Sequence, residues 1–291
     1  MKPAPFRYHA PRSREELLTL LAELDDSRLL AGGQSLVPLL NYRLASPANL
    51  IDLNTVPGLD AIEIDGGTVR IGAMVRQHSA QHAPVIKAKL PLLSEALGHV
   101  GHRQTRNRGT IGGSLAHLDP TAELPVVATA MDATLWLEST QGERSVPFAQ
   151  WPAGYLATAI EPGEVLTRVD IASWPQGHGW GFAEITRRGE GFAMVLVAAL
   201  ILCDSEGTIT RAAIAIGGID AAPVRATAAE TLLTGRTPDD ALIAAAAASA
   251  ALLPAEGDLY APSDYKQHLA GVLTERTLRQ AIQRAGNPRH V

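Results

Sequence analysis

The sequence predicts a mixed α/β chain folded as two or three compact subdomains, and three observations predict it. Segments with apolar residues at helical spacing alternate with short apolar runs bounded by glycine, proline and asparagine turns. The chain has 291 residues, 46% of them apolar, enough to bury a large core. Internal repeats and low-complexity tails are missing from the sequence, so the whole length is read as folded.

Ser13-Arg14-Glu15-Glu16 before LLTLLAEL reads as a capping box that opens a helix ending near Asp25. RLLAGG then reads as a buried strand entering a glycine turn, and NLIDL at residues 49 to 53 as another strand. Between them, VPLLNYRLASP is compatible with a short helix or an irregular loop. DAIEIDGGTVRIGAMV predicts a hairpin turning at Asp65-Gly66-Gly67, and interrupted helices follow over residues 78 to 98. GHRQTRNRGTIGGSLAHLDPTAELP is too polar and glycine-rich for plain core. MDATLWLES and VLTRVDI predict strands, and WPQGHGWG marks a subdomain edge near 174 to 180. Beyond it, GFAMVLVAALILC and TITRAAIAIGGI flank a turn at Asp204 to Gly207, hence a hairpin. Alanine-rich segments at 225 to 234 and 238 to 253 and the apolar periodicity of SDYKQHLAGVLTERTLRQAIQRA predict helices that face this sheet.

Composition narrows the function classes. With 25 basic and 30 acidic residues, a net charge of -5 and no long run of one sign, neither a nucleic-acid backbone nor an anionic membrane is the expected partner. The single Cys203, read as a small core residue, excludes an intrachain disulfide or any iron-sulfur site built from this chain alone. MKPAPFRYHAPRSREELL lacks the apolar core of a signal peptide, and AMVLVAALILC falls short of the roughly 20 residues of a membrane helix, so a cytoplasmic protein is expected. His78 and His82, like His99 and His102, have near-helical spacing, but with no third ligand and no HExxH they do not read as a metal site.

The chemistry concentrates in two stretches. In Ala31-Gly32-Gly33-Gln34-Ser35, followed by Leu36, bare backbone N–H groups can converge on an anion, with Gln34 and Ser35 as side-chain donors. A diphosphate suits such a loop; an ordinary tight turn between strand and helix is the alternative. Thr110-Ile111-Gly112-Gly113-Ser114 repeats the composition. Neither stretch is a GxGxxG opening a βαβ unit, and no GxxxxGK[ST] is present, which disfavours a Rossmann dehydrogenase or a nucleoside triphosphatase.

AGGQSLVPLLNYRLASPANLIDL and VGHRQTRNRGTIGGSLAHLDPTAELP resemble the two flavin-binding signatures of the FAD subunit of the molybdenum hydroxylases, the family of xanthine dehydrogenase and aerobic carbon monoxide dehydrogenase. The resemblance continues through FAEITRRGEGFAMVLVAAL and SDYKQHLAGVLTERTL, so it covers nearly the whole chain. It implies an α+β architecture: an FAD-binding fold of the vanillyl-alcohol oxidase/PCMH type, with α/β subdomains at 1–56 and 57–176, and a C-terminal α+β domain at 177–291 like that of the carbon monoxide dehydrogenase flavoprotein. By the resemblance, Ala31 to Ser35 and Thr110 to Ser114 wrap the pyrophosphate of FAD, and His117 and Glu123 contact the dinucleotide. Asp119 joins them by analogy. Where the family shows Gly-Asp-Phe-Ala after paired arginines, this chain has Glu190-Gly191-Phe192-Ala193.

The resemblance also implies partners: a large subunit with a molybdopterin cytosine dinucleotide-type cofactor and a small subunit with two [2Fe-2S] clusters, assembled as a dimer of heterotrimers. Electrons would pass from molybdenum through the clusters to FAD and on to NAD, oxygen or a quinone-linked carrier, with no catalytic acid or base on this chain. The basic run His99, His102, Arg103, Arg106 and Arg108 is read as a solvated loop, as support for the anionic cofactor, or as a docking surface for the iron-sulfur partner. Tyr42 and Trp180 are candidate flavin neighbours or ordinary core. Two other functions compete, a self-sufficient flavin oxidoreductase of the same fold and a scaffold that has lost FAD. The scaffold fits poorly, because packing alone does not call for both glycine stretches. Replacing Gly33 or Gly112 with a bulky residue is expected to empty the flavin site and spare the helix content.

Overall fold

The computed structural model describes residues 1–189 and 191–285. Strands β1 (Arg7–His9), β2 (Ser27–Leu30) and β3 (Asn49–Asp52) form a parallel sheet in the order β1-β3-β2. Helix α1 (Arg14–Glu23) joins the first two strands and α2 (Leu36–Asn41) precedes the third. The capping box forms in altered shape. Ser13 Oγ accepts from the Glu16 N–H at 3.1 Å, while the Glu16 carboxylate accepts from Arg12 N–H at 2.7 Å, one residue before the cap. VPLLNYRLASP is thus helical in its first half.

The second unit is an antiparallel sheet in the order β4-β5-β10-β6-β7. Its strands are β4 (Ile62–Asp65), β5 (Thr68–Gly72), β6 (Thr134–Ser139), β7 (Gly142–Pro147) and, after a small ribbon of β8 (Pro152–Gly154) and β9 (Ala157–Thr158), β10 (Val165–Ala172). Between β5 and β6 run six helices: α3 (Gln77–His82), α4 (Pro84–Lys89), α5 (Pro91–Leu97), α6 (Arg103–Arg108), α7 (Ile111–His117) and α8 (Glu123–Ala130). Prolines at the first turns of α4 and α5 break what is otherwise one helical stretch, because each removes an N–H that a continuing helix needs.

The last unit is an antiparallel sheet in the order β11-β12-β13-β14: β11 (Gly179–Thr186), β12 (Ala193–Cys203), β13 (Ile209–Gly217) and β14 (Val224–Arg225). Helices α9 (Thr227–Leu233), α10 (Asp240–Ala251) and α11 (Ser263–Arg284) complete it. The unbroken apolar run of β12 has a simple cause, since both faces of the strand are buried. Val195, Val197, Ala199 and Ile201 pack in the core under α9 to α11, while Leu196, Ala198 and Leu200 join the core that contains α8. That shared strand welds the C-terminal sheet to the helices of the second unit. Cys203 closes β12 half-buried, and burial pushes its thiol up. Cys203→Ala is expected to change stability by less than about 1 kcal/mol in a thermal melt, as for a small apolar side chain at a core edge.

Candidate functional site

The loop Ala31 to Ser35 leaves the end of β2 and enters α2, and Gly33 takes φ +73°, a conformation open to glycine at little cost. Carbonyls of Gly33 and Ser35 accept from the Val37 and Leu39 N–H groups at 3.0 and 3.2 Å. Among the described residues, the N–H groups of Gly32, Gly33, Gln34 and Ser35 donate to no protein acceptor. Gln34 Nε2 donates to Gly32 O at 3.3 Å, and the Ser35 hydroxyl caps no helix N–H. Four backbone donors and a hydroxyl are therefore available to a ligand.

Gly32, Gly33 and Gln34 line a cleft of about 550 Å³ together with Leu30, Ala31, Val37, Pro38, Asp52, Asn54, Arg76 and Arg108, and Ser35 follows at its edge in sequence. Asp52, buried at the end of β3, accepts from Asn54 N–H at 2.9 Å, and Asn54 Nδ2 donates to Ala31 O at 3.0 Å, which pins the start of the loop. Arg76 donates from one nitrogen to Asn54 Oδ1 and from the other to Arg108 O, both at 2.5 Å. Burial and the neighbouring Arg108 guanidinium lower Arg76 from its ordinary value. Two guanidiniums against the one carboxylate of Asp52, beside unused N–H groups, leave the cleft with an excess of positive charge. A diphosphate fits that donor set; the sequence reading missed Asp52 at the end of β3, Asn54 in the turn after it and Arg76 just before α3.

The second glycine stretch is different in kind. It is the first turn of α7, capped by Thr110, whose Oγ1 accepts from Gly113 N–H at 3.0 Å. Ile111 N–H donates to Val75 O at 3.0 Å, Gly112 N–H to Ala73 O at 2.8 Å, and Ser114 N–H to Thr110 O at 3.2 Å. The N–H groups of Ile111 to Ser114 are thus spent, which leaves Thr110 N–H alone in this stretch without a protein acceptor among the described residues, and the expectation of a converging N–H cradle is corrected to a helix turn behind the first loop. Both stretches have packing reasons for glycine as well. A Cβ on Gly32 would run into Arg108 O and lie 2.8 Å from Gly109 Cα, and one on Gly112 would sit 2.7 Å from Ala73 Cα. A Cβ on Gly113 would come within 3.4 Å of Ala31 Cβ. The structure brings Ala31, Gly32, Gly113 and the α6–α7 junction together as a glycine seam between the first two units. The premise that packing cannot account for both stretches is overturned; the unused donors and guanidiniums carry the ligand argument instead.

Beyond α7, which ends at Leu118 in a left-handed conformation (φ 51°), lie the other site residues. Trp151, fully buried, donates from Nε1 to Leu115 O at 2.8 Å and holds α7 from behind. His117 is half-buried at the end of α7. Asp119 Oδ1 accepts from Thr121 N–H and Oγ1 at 2.8 and 2.7 Å, shaping the turn into α8. Glu123 opens α8 next to His99 and Glu184. Burial pushes its carboxyl up to about 7, and Glu184 and Asp119 add to the rise against its own backbone N–H and His99. His99 Nδ1 lies 3.4 Å from Glu184 Oε1, and that hydrogen bond holds the imidazole above its usual range against burial.

The basic run divides by role. His99 pairs with Glu184, Arg106 donates to Val100 O and Gly101 O at 2.9 and 2.8 Å, and Arg108 lines the cleft. Trp180 donates to Glu95 Oε2 at 2.7 Å under the Arg284 guanidinium, so it is part of the seam between α5, β11 and α11. Tyr42 is exposed just past α2. The departure at Glu190 lies outside the described residues; Phe192 beside it is exposed.

Comparison with known proteins gives the family. The family model for the FAD binding domain in molybdopterin dehydrogenase matches residues 4–174, and that for the CO dehydrogenase flavoprotein C-terminal domain matches residues 180–281. The chain is 40% identical to the 6-hydroxypseudooxynicotine dehydrogenase complex subunit alpha of Paenarthrobacter nicotinovorans over 98% of this chain and 97% of that one. It is 36% identical to the carbon monoxide dehydrogenase medium chain of Hydrogenophaga pseudoflava, over 98% and 99%. A solved structure of quinoline 2-oxidoreductase from Pseudomonas putida 86 superposes with a TM-score of 0.94 at 38% identity, covering 99% of this chain and 100% of that one. Two matched family models that together span nearly the whole chain, and relatives aligned end to end, make it a member of the FAD-binding, medium-chain subunits of the molybdenum hydroxylases.

Proposed function

We propose that this chain is the FAD-carrying electron-transfer subunit of a heterotrimeric molybdenum hydroxylase, assembled as a dimer of heterotrimers. The observation that carries the reading is the cleft lined by Gly32, Gly33 and Gln34, whose N–H groups are unused, beside Arg76 and Arg108. Bound FAD supplies a two-electron carrier, filled from the [2Fe-2S] clusters of a small partner and drained by NAD, oxygen or a quinone-linked acceptor, while a large molybdopterin-binding partner oxidises the substrate. The clusters fall to a partner because this chain has one cysteine.

Gly32 to Ser35 bind the diphosphate through backbone N–H groups, with Ala31 and Leu36 fixing the two ends of the loop. Arg76 and Arg108 neutralise its charge, and Asn54 keeps Arg76 aimed. Thr110, Ile111, Gly112, Gly113 and Ser114 form the wall behind that loop. His117, Asp119 and Glu123 border the remainder of the dinucleotide. Purification of the chain with its neighbouring gene products, followed by release of the chromophore with denaturant and its identification by absorbance and mass, is expected to yield FAD equimolar with the chain; no flavin in any preparation overturns the reading. Arg76→Met is expected to weaken FAD binding about tenfold or more in a fluorescence titration, as for loss of a charge-assisted contact.

A further inference from the structure

Lys266, on α11, is almost fully buried, an unusual place for an ammonium group. Its Nζ donates to Gly218 O at 2.7 Å and pairs with Asp258 Oδ2 at 2.8 Å. Gly218 follows β13 with φ +81°, and a Cβ there would strike Met194 O and lie 3.2 Å from Val195 Cα, so its position is set on one side by β12. On the other side its N–H donates to Pro120 O at 2.8 Å. The preceding Gly217 lets Val126 of α8 approach, since a Cβ would fall 2.5 Å from Val126 Cγ2. An ammonium in the C-terminal unit is thereby linked through one residue, Gly218, to the turn Asp119 to Glu123 in the second unit.

A lysine taken out of water costs stability unless its charge is paired, as it is here with Asp258. An apolar side chain would fill the same space under α11 and leave Gly218 O without this donor. The ion pair with Asp258 offsets the charge, and the second contact sets the ammonium on the residue whose N–H holds Pro120. We propose that Lys266 is a positioning residue for the cofactor site: through Gly218 it fixes Pro120 and so the orientation of Asp119 and Glu123. The inference rests on the reading above that this turn borders FAD.

The test uses the full chain as purified, with Lys266→Met, the milder Lys266→Gln, which is neutral and too short to keep both contacts, and Lys266→Arg. Amide hydrogen exchange followed on peptides covering residues 118–124 and 216–222 reads the strut without any flavin. FAD titration, with the visible circular dichroism of the bound flavin, reads its effect on the site. In whichever neutral variant folds, exchange is expected to rise in both peptides, FAD affinity to fall about tenfold and the flavin dichroism to change, and Lys266→Arg is expected to restore all three. Unchanged exchange at 118–124 overturns the strut. Faster exchange with wild-type affinity and dichroism overturns the positioning role. Wild-type chain that binds no FAD while the variants still loosen 118–124 overturns the function reading and, with it, the positioning of a cofactor, leaving a purely structural strut.

Discussion

Gly112→Val is expected to destabilise the chain by about 3 kcal/mol and lower its melting temperature by several degrees, with loss of flavin as a secondary effect. Gly112 lies in the first turn of α7 with its N–H on Ala73 O at 2.8 Å, and Ile111 beside it is held to Val75 O at 3.0 Å. A Cβ would overlap the Ala73 methyl and sit 2.8 Å from Ala73 O, and these backbone bonds leave no room for α7 to retreat. Gly33 is the contrast. A Cβ there meets only Val37 Cγ2 at 3.1 Å and Leu30 Cδ1 at 3.2 Å, both ends of side chains, and the chief penalty is the positive φ, about 1 kcal/mol. Gly33→Ala is therefore expected to cost less stability and to act on the diphosphate loop directly. Differential scanning calorimetry beside flavin content separates the two. A Gly112→Val chain that melts like wild type but has lost its flavin would return Gly112 to the ligand-facing role first expected of it.

Glu123→Gln is expected to flatten the pH dependence of stability and to stabilise the flavin-free chain at pH 8 by roughly 2 to 3 kcal/mol. The folded carboxyl sits at about 7 against an ordinary 4.5, so between those values the folded state holds a proton that the unfolded state releases. Stability therefore falls as pH rises from 4.5 to 7 and levels off above that. His99 acts in the same direction at higher pH: its pairing with Glu184 contributes fully below 6.5 and is lost as pH rises through its elevated folded value. Thermal melts of Glu123→Gln should lose the slope below pH 7 and keep a reduced His99 slope, since Glu123 itself helps to raise His99 while Glu184 remains its main partner. An unchanged slope between pH 4.5 and 7 would remove Glu123 as its source.

Much of the fold was legible in local pattern. The capping box at Ser13, the hairpin at Asp65 to Gly67 and the long helix from Ser263 all signal themselves through residues near in sequence. β1 and β7 did not, because RYH is three residues long and GERSVP has almost no apolar alternation; both are edge strands that gain most of their stability from a neighbour. α6 escaped for a related reason. RQTRNR buries no residue and has no apolar stripe to read. At the site, glycine composition located both motifs but could not tell a loop with free N–H groups from a helix turn whose N–H groups are spent. That distinction depends on Ala73 and Val75, some forty residues earlier in the chain. Arg76 was silent for the same reason, since its partners Asn54 and Arg108 meet only in three dimensions.

The glycine seam at Gly32 and Gly109 also bears on when a cofactor can arrive. Backbone touches backbone there, with Arg108 O against the Gly32 Cα, and Arg76 stitches the same line from Asn54 to Arg108. For the cleft to open like a jaw along that line, both Arg76 hydrogen bonds would have to break. FAD would enter an already finished groove from its solvent side, or be built in as the two units first come together. Reconstitution kinetics tell these apart: the first route predicts uptake by folded apoprotein that is proportional to flavin concentration, and the second predicts uptake only during refolding.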